Sequence, residues 1–136
     1  MCLVSRNEAP SIAEADIICY KHLCYITNFF QYKSPYQRTV YEVPSTVTDN
    51  AEEIVIKRRF ADGTFVHEIS SGYIHCYKDL LDAKDNAAWF MKHAKMPRCE
   101  DVIVECIIPK GTKYWESIWE ICAKTIKLVR IVKDDL

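Results

Sequence analysis

Two strand-like segments joined by Asp62-Gly63 constrain the fold of this chain more than any other feature. The segments are IVIKRRF at residues 54–60 and TFVHEI at residues 64–69, and they flank the three residues ADG. β-Branched and aromatic side chains favour strands, and an Asp-Gly pair between two such runs is typical of a tight turn. The pattern therefore predicts an antiparallel hairpin.

Other segments also have the composition of strands. They are DIICYKHLCYI at 16–26, RTVYEVP at 38–44, DVIVECII at 101–108 and TIKLVRIV at 125–132. The segment at 101–108 is apolar on both faces apart from two acidic residues, which predicts a central strand covered on both sides. The polar segment TVTDNAEE at 46–53 is expected to form a loop.

The main helix is predicted at about residues 79–94, within KDLLDAKDNAAWFMKHAK. Asp79 is the expected N-cap, because its carboxylate can accept a hydrogen bond from a free amide of the first turn. Apolar residues recur with the helical period, and the pattern predicts that Leu81, Ala88 and Met91 pack against the sheet. The remaining members of this stripe are Leu80, Ala83, Ala87 and Ala94.

A second, short helix is possible at about residues 115–122. Its apolar residues follow a spacing of i, i+3, i+4 and i+7, at Trp115, Ile118, Trp119 and Cys122. The predicted hairpin and the other strands, together with one main helix, predict an α+β fold with a mostly antiparallel β-sheet. The length of 136 residues predicts a single globular domain over residues 1–136.

The composition limits the classes of partner. Of the 136 residues, 49% are hydrophobic and 27% are charged, and the net charge is −1. This balance makes nucleic acid an unlikely partner, because proteins that bind nucleic acid neutralise many phosphates with an excess of basic residues. There is no apolar run near the ~20 residues of a membrane helix, so we expect no membrane partner and a cytoplasmic location.

The motif PKGT at residues 109–112 raises the question of a phosphate site. A phosphate loop needs several glycines and leads into a helix, whereas PKGT has one glycine between two strand-like runs. Pro109 also lacks the amide hydrogen that would bind an anion. The motif therefore predicts a turn, with Lys110 as an exposed turn residue.

Several motifs resemble an uncharacterised family of small proteins from gut bacteria and their phages. They are CYKHL, GYIHCYKDLLDA and VECIIPKGTKYW, and the resemblance covers most of the chain except SIWEICAKT at 117–125. No activity is assigned to that family, so the resemblance implies kinship without chemistry. The order of elements is also similar to ADP-ribosyltransferase-like folds, and this likeness implies that His22 and Glu120 act at a nucleotide pocket.

The cysteine and histidine residues predict neither a metal site nor a cofactor. His22 and Cys24 would share a strand face, but Cys19 would point to the other face, and His75 and Cys76 would diverge in the same way. The chain also lacks a C-x-x-C pair, which structural zinc sites commonly use. Its seven cysteines are expected to be free thiols, mostly buried.

Two functional hypotheses from different classes remain. The first is a non-catalytic binding or regulatory module that acts on a protein partner through its surface. The second is a small ADP-ribosyltransferase-like enzyme, with His22, Tyr20 and Glu120 as candidate catalytic residues and His75 as a candidate ligand-binding residue. A deep cleft that contains His22, Tyr20 or His75 would favour the enzyme. The sequence does not indicate the oligomeric state.

Overall fold

The computed structural model describes residues 3–35, 39–93 and 99–132. Its strands pair in antiparallel fashion, as the sequence predicts. The helix is α1 (Leu80–His93). In chain order the strands are β1 (Leu3–Ser5), β2 (Ser11–Ile12), β3 (Ile17–Ile26), β4 (Gln31–Lys33), β5 (Val40–Tyr41), β6 (Ser45–Thr48), β7 (Ile54–Arg59), β8 (Phe65–Ser71), β9 (Ile74–Tyr77), β10 (Cys99–Ile108), β11 (Lys113–Glu116), β12 (Glu120–Ala123) and β13 (Thr125–Val132).

The predicted hairpin is confirmed as β7 and β8, which form a small sheet with β1 in the order β1-β8-β7. Gly63 occupies the turn with a φ of 87°, a conformation that side chains disfavour and glycine adopts freely. The carboxylate of Asp62 accepts a hydrogen bond from the amide of Thr64 at 3.0 Å. Since β7 forms an edge of this sheet, its exposed residues 57–59 place three positive charges along that edge, where charge discourages pairing with other chains.

A one-residue link between β12 and β13 forces the large sheet to curl. The strand order is β2-β11-β12-β9-β3-β10-β13-β6, so three strands separate β12 from β13, and β4 and β5 extend from β3. In a flat sheet four strand spacings would hold β12 and β13 about 19 Å apart, whereas a one-residue link spans at most about 7.6 Å. Because Lys124 alone connects Ala123 to Thr125, the sheet must curl until these strands meet.

The inner face of the curled sheet carries the larger core. Side chains alternate between the two faces of a strand, so Cys19 and Leu23 of β3 point inward while His22 points outward. The buried core residues come from six strands and a preceding loop, and they are Ala13, Cys19, Leu23, Tyr41, Ile74, Cys76, Val104, Cys106, Ile108, Ile121, Ala123, Ile126 and Leu128. The cysteines among them act as small apolar side chains.

Two elements cover the outer face of the large sheet. Near β11 and β12, the side chains of Leu3 and Ile69 from the small sheet pack with Trp115 and Cys122. Further along the sheet, α1 contacts β9, β3 and β10. The result is an α+β fold, mostly antiparallel, with a single helix in the described residues.

The helix prediction is confirmed in position but wrong in its buried face. α1 begins after Asp79, whose carboxylate accepts a hydrogen bond from the amide of Asp82 at 3.3 Å, and the predicted end at Ala94 lies outside the described residues. Leu81 and Met91 are 66% and 58% exposed, and Ala88 is also exposed. The buried residues are instead Ala83 and Phe90. The helix is rotated so that the aromatic ring of Phe90 packs against His22 of β3.

The second predicted helix is wrong, because residues 113–123 form the hairpin of β11 and β12. Trp115 and Cys122 lie directly opposite each other on the two strands and share the outer core. The spacing i, i+7 that suggested a helical stripe is therefore a cross-strand pair. Ile118 and Trp119 lie at the turn and are 79% and 62% exposed.

The remaining strands and the PKGT turn agree with the sequence more closely than the predicted loop at 46–53 does. The strands predicted at 16–26, 101–108 and 125–132 are β3, β10 and β13, and the strand predicted at 38–44 shrinks to β5. The loop predicted at 46–53 is wrong in part, because β6 pairs with β13 there. PKGT forms the predicted turn, with a hydrogen bond from the amide of Thr112 to the carbonyl of Pro109 at 3.1 Å.

Among the described residues, no helix combines the length and the apolar character that crossing a membrane requires.

Candidate functional site

A surface cleft of about 790 Å³ lies between the small sheet and the β11–β12 hairpin. Both sheets and the segments that follow their strands contribute to its walls. The lining residues are Val4, Arg6, Asn7, Phe60, Val66, Lys78, Glu116, Ser117, Ile118, Trp119 and Glu120. Its size falls within the range of small-molecule sites in proteins.

The β11–β12 turn places large apolar side chains at the mouth of the cleft. The amide of Ser117 donates to the carbonyl of Glu120 at 2.9 Å, and the hydroxyl of Ser117 accepts from the amide of Glu120 at 3.1 Å. These bonds hold the turn in a tight conformation that exposes Ile118 and Trp119. Val4 and Phe60 are also about half exposed on the opposite wall, so apolar surface faces solvent from both sides.

The charged groups in the cleft differ in whether they form ion pairs. Lys78 pairs with Glu116 at 3.0 Å and donates to the carbonyl of Ser117 at 3.2 Å. Glu120 is half-buried, and burial raises the pKa of its carboxyl above the ordinary value. Within the described part of the chain, the Glu120 carboxylate has no ion pair. The cleft therefore offers a partly desolvated carboxylate that a ligand cation can approach.

The candidate residues Glu120, Tyr20 and His22 occupy one face of the large sheet but not one site. Glu120 lies opposite Tyr77, which lies opposite Tyr20, so Glu120 and Tyr20 are two strands apart, or about 10 Å. Glu120 lines the cleft, whereas His22 lies beneath α1 and is only 4% exposed. The structure does not bring His22 and Glu120 together around a common space.

The contacts of His22 all lie between the sheet and α1. Its Nε2 atom hydrogen-bonds to the carboxylate of Asp101, and its Nδ1 atom lies 3.3 Å from the amide nitrogen of Asn86. The ring packs edge-on against Phe90. Burial lowers the pKa of His22, and the hydrogen bond with Asp101 acts in the opposite direction.

His75 is buried on the same outer face, away from the lining of the cleft. Neither of its ring nitrogens has a hydrogen-bond partner among the described residues. Its backbone carbonyl accepts a hydrogen bond from the buried ammonium group of Lys21 at 2.8 Å. Burial, reinforced by the positive charge of Lys21, lowers the pKa of His75 to about 4, so the ring is neutral near pH 7.

The described cysteines do not provide an activated nucleophile in the cleft. Cys19 and Cys106 are opposite each other on β3 and β10, and both thiols are buried in the inner core. Hydrogen bonds with Cys106 and Cys76, together with burial, raise the pKa of Cys19. Burial likewise raises the pKa of Cys24 on the outer face. Cys2 lies outside the described residues.

Sequence reasoning missed Trp119 as a site residue, and it missed Asp101 as a partner of His22. The helical spacing includes Trp119, although the polar Ser117 among apolar residues would also fit a turn. Asp101 is one of the two acidic residues of the strand predicted at 101–108. Its position two residues after Cys99 was the available signal, because alternate strand residues share a face.

No family model, curated protein or solved structure matches this chain, and the resemblance to small proteins of gut bacteria and phages stays a prediction.

Proposed function

We propose that the protein is a non-catalytic binding module that holds a segment of a partner protein in the cleft beside Trp119. The observation that carries this proposal is the convergence of exposed apolar side chains and the half-buried Glu120 carboxylate on one concave surface. Soluble proteins rarely expose large apolar side chains in a cluster, and such clusters commonly mark binding sites.

The chemistry of the cleft selects the kind of segment that fits. Apolar side chains of the segment would pack on Trp119, Ile118 and Phe60, whose surfaces are available to solvent. A lysine or arginine beside them would pair with Glu120, whose partial burial strengthens an ionic hydrogen bond. We therefore assign to this site a short segment with one basic residue flanked by apolar residues.

The test is selection of peptides from a random heptapeptide display library against the purified full-length chain, followed by calorimetry with the enriched peptide. We expect enrichment of a basic residue next to apolar residues. Trp119→Ala should weaken binding by about thirtyfold or more, since buried tryptophans dominate interface energies. Glu120→Gln should weaken binding of the basic peptide while leaving its neutral analogue unaffected.

Trp89→Ala is the matched control, because Trp89 is 55% exposed on α1 and stacks on His93 instead of lining the cleft. Peptides whose affinity falls equally in Trp89→Ala and Trp119→Ala would contradict the proposal. Enrichment of peptides without a basic residue would refute the role of Glu120. Heat on titration with NAD that Glu120→Gln abolishes would favour the ADP-ribosyltransferase-like alternative instead.

A further inference from the structure

Four potential metal ligands lie together on the outer face of β3 and β10. His22 and Cys24 are alternate residues of β3, and Cys99 and Asp101 are alternate residues of β10, so each pair shares a face. The two strands are neighbours, and Asp101 lies directly opposite Cys24 in their register. Strand pairing therefore places nitrogen, sulfur and oxygen donors from distant parts of the chain side by side.

The register also explains which donors meet. His22 lies opposite Ile103 and contacts Asp101, which is two residues before Ile103. Cys24 lies opposite Asp101, and Cys99 lies two residues earlier on β10, where its thiol adds to the effect of burial in raising the pKa of Cys24. Both pairs lie on the same diagonal across the two strands, so the register places the donors in a row of His22, Asp101, Cys24 and Cys99.

The spacing of the donor atoms suits a small cation. One ligand atom from each of His22, Cys24 and Asp101 lies within 4.8 Å of the others. The Cys24 sulfur lies 3.6 Å from the Asp101 carboxylate oxygen. A tetrahedral zinc ion with bonds of about 2.3 Å to sulfur and about 2.1 Å to oxygen would separate those two atoms by about 3.6 Å.

The surroundings of the row resemble those of a protein metal site in two respects. The cluster is enclosed, because His22 and Cys24 are buried and α1 covers both strands. The second ring nitrogen of His22 faces the side-chain amide of Asn86, and with the amide oxygen turned toward the ring this nitrogen donates a hydrogen bond to it. Such a bond orients a metal-bound imidazole and fixes its tautomer.

We propose that His22, Cys24 and Asp101 bind Zn²⁺, with the Cys99 thiolate as the fourth ligand. The mixture of imidazole, thiolate and carboxylate favours Zn²⁺ over Ca²⁺ and Mg²⁺, which prefer oxygen ligands alone. On binding, the two thiols release their protons to solvent, and the ion replaces the hydrogen bond between His22 and Asp101. The ion links β3 to β10 beneath α1 and stabilises the sheet. This inference is independent of the proposed function of the cleft.

The alternation of strand faces predicts no metal site for Cys19, His22 and Cys24, or for His75 and Cys76. Its geometry was sound, because Cys19 does point into the inner core while His22 and Cys24 point outward. That prediction does not include β10, which supplies Cys99 and Asp101 at the same spacing. A search for two H-x-C or C-x-D pairs on neighbouring strands would have identified the cluster.

The test measures zinc in the full-length chain, purified under reducing conditions from zinc-supplemented cells, by elemental analysis. We expect about one equivalent of zinc per chain, the stoichiometry of a single tetrahedral site. Asp101→Asn keeps the shape of the side chain and should weaken zinc binding more than about tenfold, as should Cys24→Ala. Cys106→Ala removes a buried thiol from the opposite face and should retain full zinc content.

Cobalt provides a second readout that does not depend on the stability of any one variant. The parent chain loaded with Co²⁺ should show a sulfur-to-cobalt charge-transfer band, and Cys99→Ser should reduce its intensity while keeping a cobalt spectrum. A parent chain without zinc and without this band would overturn the proposal. Loss of zinc from Cys106→Ala would move the site to the inner cysteines, and a Cys24–Cys99 disulfide in the freshly reduced, zinc-supplemented protein would also refute it.

Discussion

The ring of Phe90 packs edge-on against the ring of His22, with their centroids 5.5 Å apart and their planes at 71°. This contact joins α1 to the central strand β3 of the large sheet. It also sets the rotation of the helix about its axis, because Phe90 and Ala83 are its two buried residues. The helix consequently presents Asn86, which lies between them along the chain, to the same imidazole.

The first prediction concerns this contact. Phe90→Ala should reduce the free energy of unfolding by about 3–5 kcal/mol, because it removes a buried aromatic side chain and leaves a cavity. Leu81→Ala is the matched control on the same helix and should change the free energy of unfolding by less than about 0.5 kcal/mol, because Leu81 is largely exposed. Urea denaturation of both variants measures the difference, and equal losses would contradict the observed rotation of α1.

The sequence predicts that α1 exists and where it starts, but not its rotation. Existence and capping depend on local features, namely the apolar period and Asp79. The rotation depends on a polar residue of β3, since His22 favours a face that offers both an aromatic edge and an amide. A pattern that counts only apolar residues instead selected Leu81 and Met91, which lie on the exposed side.

The second prediction compares two glycines with nearly the same backbone conformation. Gly63 and Gly72 have φ values of 87° and 89°. A β-carbon on Gly63 would meet no atom within 4 Å, whereas one on Gly72 would lie 2.7 Å from the Cα atom of Glu53. Gly63→Ala should cost about 1–2 kcal/mol from backbone strain alone.

Gly72→Ala should destabilise the protein measurably more than Gly63→Ala, because the backbone at Glu53 must also move. Thermal unfolding of the two variants and the parent gives the comparison. Equal melting temperatures for the two variants would show that the approach of residues 53 and 72 is not close in solution.

The third prediction concerns the helix cap. Asp79→Ala should cost about 1 kcal/mol, because the amide of Asp82 loses its hydrogen-bond acceptor. Asp79→Ser keeps an acceptor and also removes a negative charge beside Asp82, whose carboxyl pKa is raised by burial and by the nearby Asp79. We therefore expect Asp79→Ser to be at least as stable as the parent, and an equal loss in both variants would exclude capping by this side chain.

The hairpin, the strands and the PKGT turn could be predicted from sequence because each depends on neighbouring residues. The curl of the large sheet depends on the one-residue link at Lys124 together with a strand order that no local pattern contains. The cleft has the same origin, because Val4 and Phe60 meet Ile118 and Trp119 only after the small sheet docks. Reading Trp115 and Cys122 as a helical stripe failed for a related reason, since a spacing of seven also fits two strands joined by a tight turn.

The last prediction is a pH dependence of stability due to His75. Burial lowers the pKa of its ring to about 4 in the folded protein, compared with about 6.5 in the unfolded chain. Between these values the unfolded chain binds a proton that the folded protein does not bind. The free energy of unfolding therefore decreases as the pH falls from 6.5 toward 4 and is fully retained above pH 6.5.

From pH 7 to pH 5 this effect should remove about 2 kcal/mol of stability, which His75→Leu should abolish. The measurement is urea denaturation of the parent and of His75→Leu at a series of pH values, with the difference between their slopes assigned to His75. The comparison cancels the other titrating groups, because both proteins contain them.

His93→Leu changes an exposed histidine of α1 and controls for the loss of an imidazole from the unfolded chain. If His75→Leu and the parent lose the same free energy between pH 7 and pH 5, His75 takes up a proton in the folded protein.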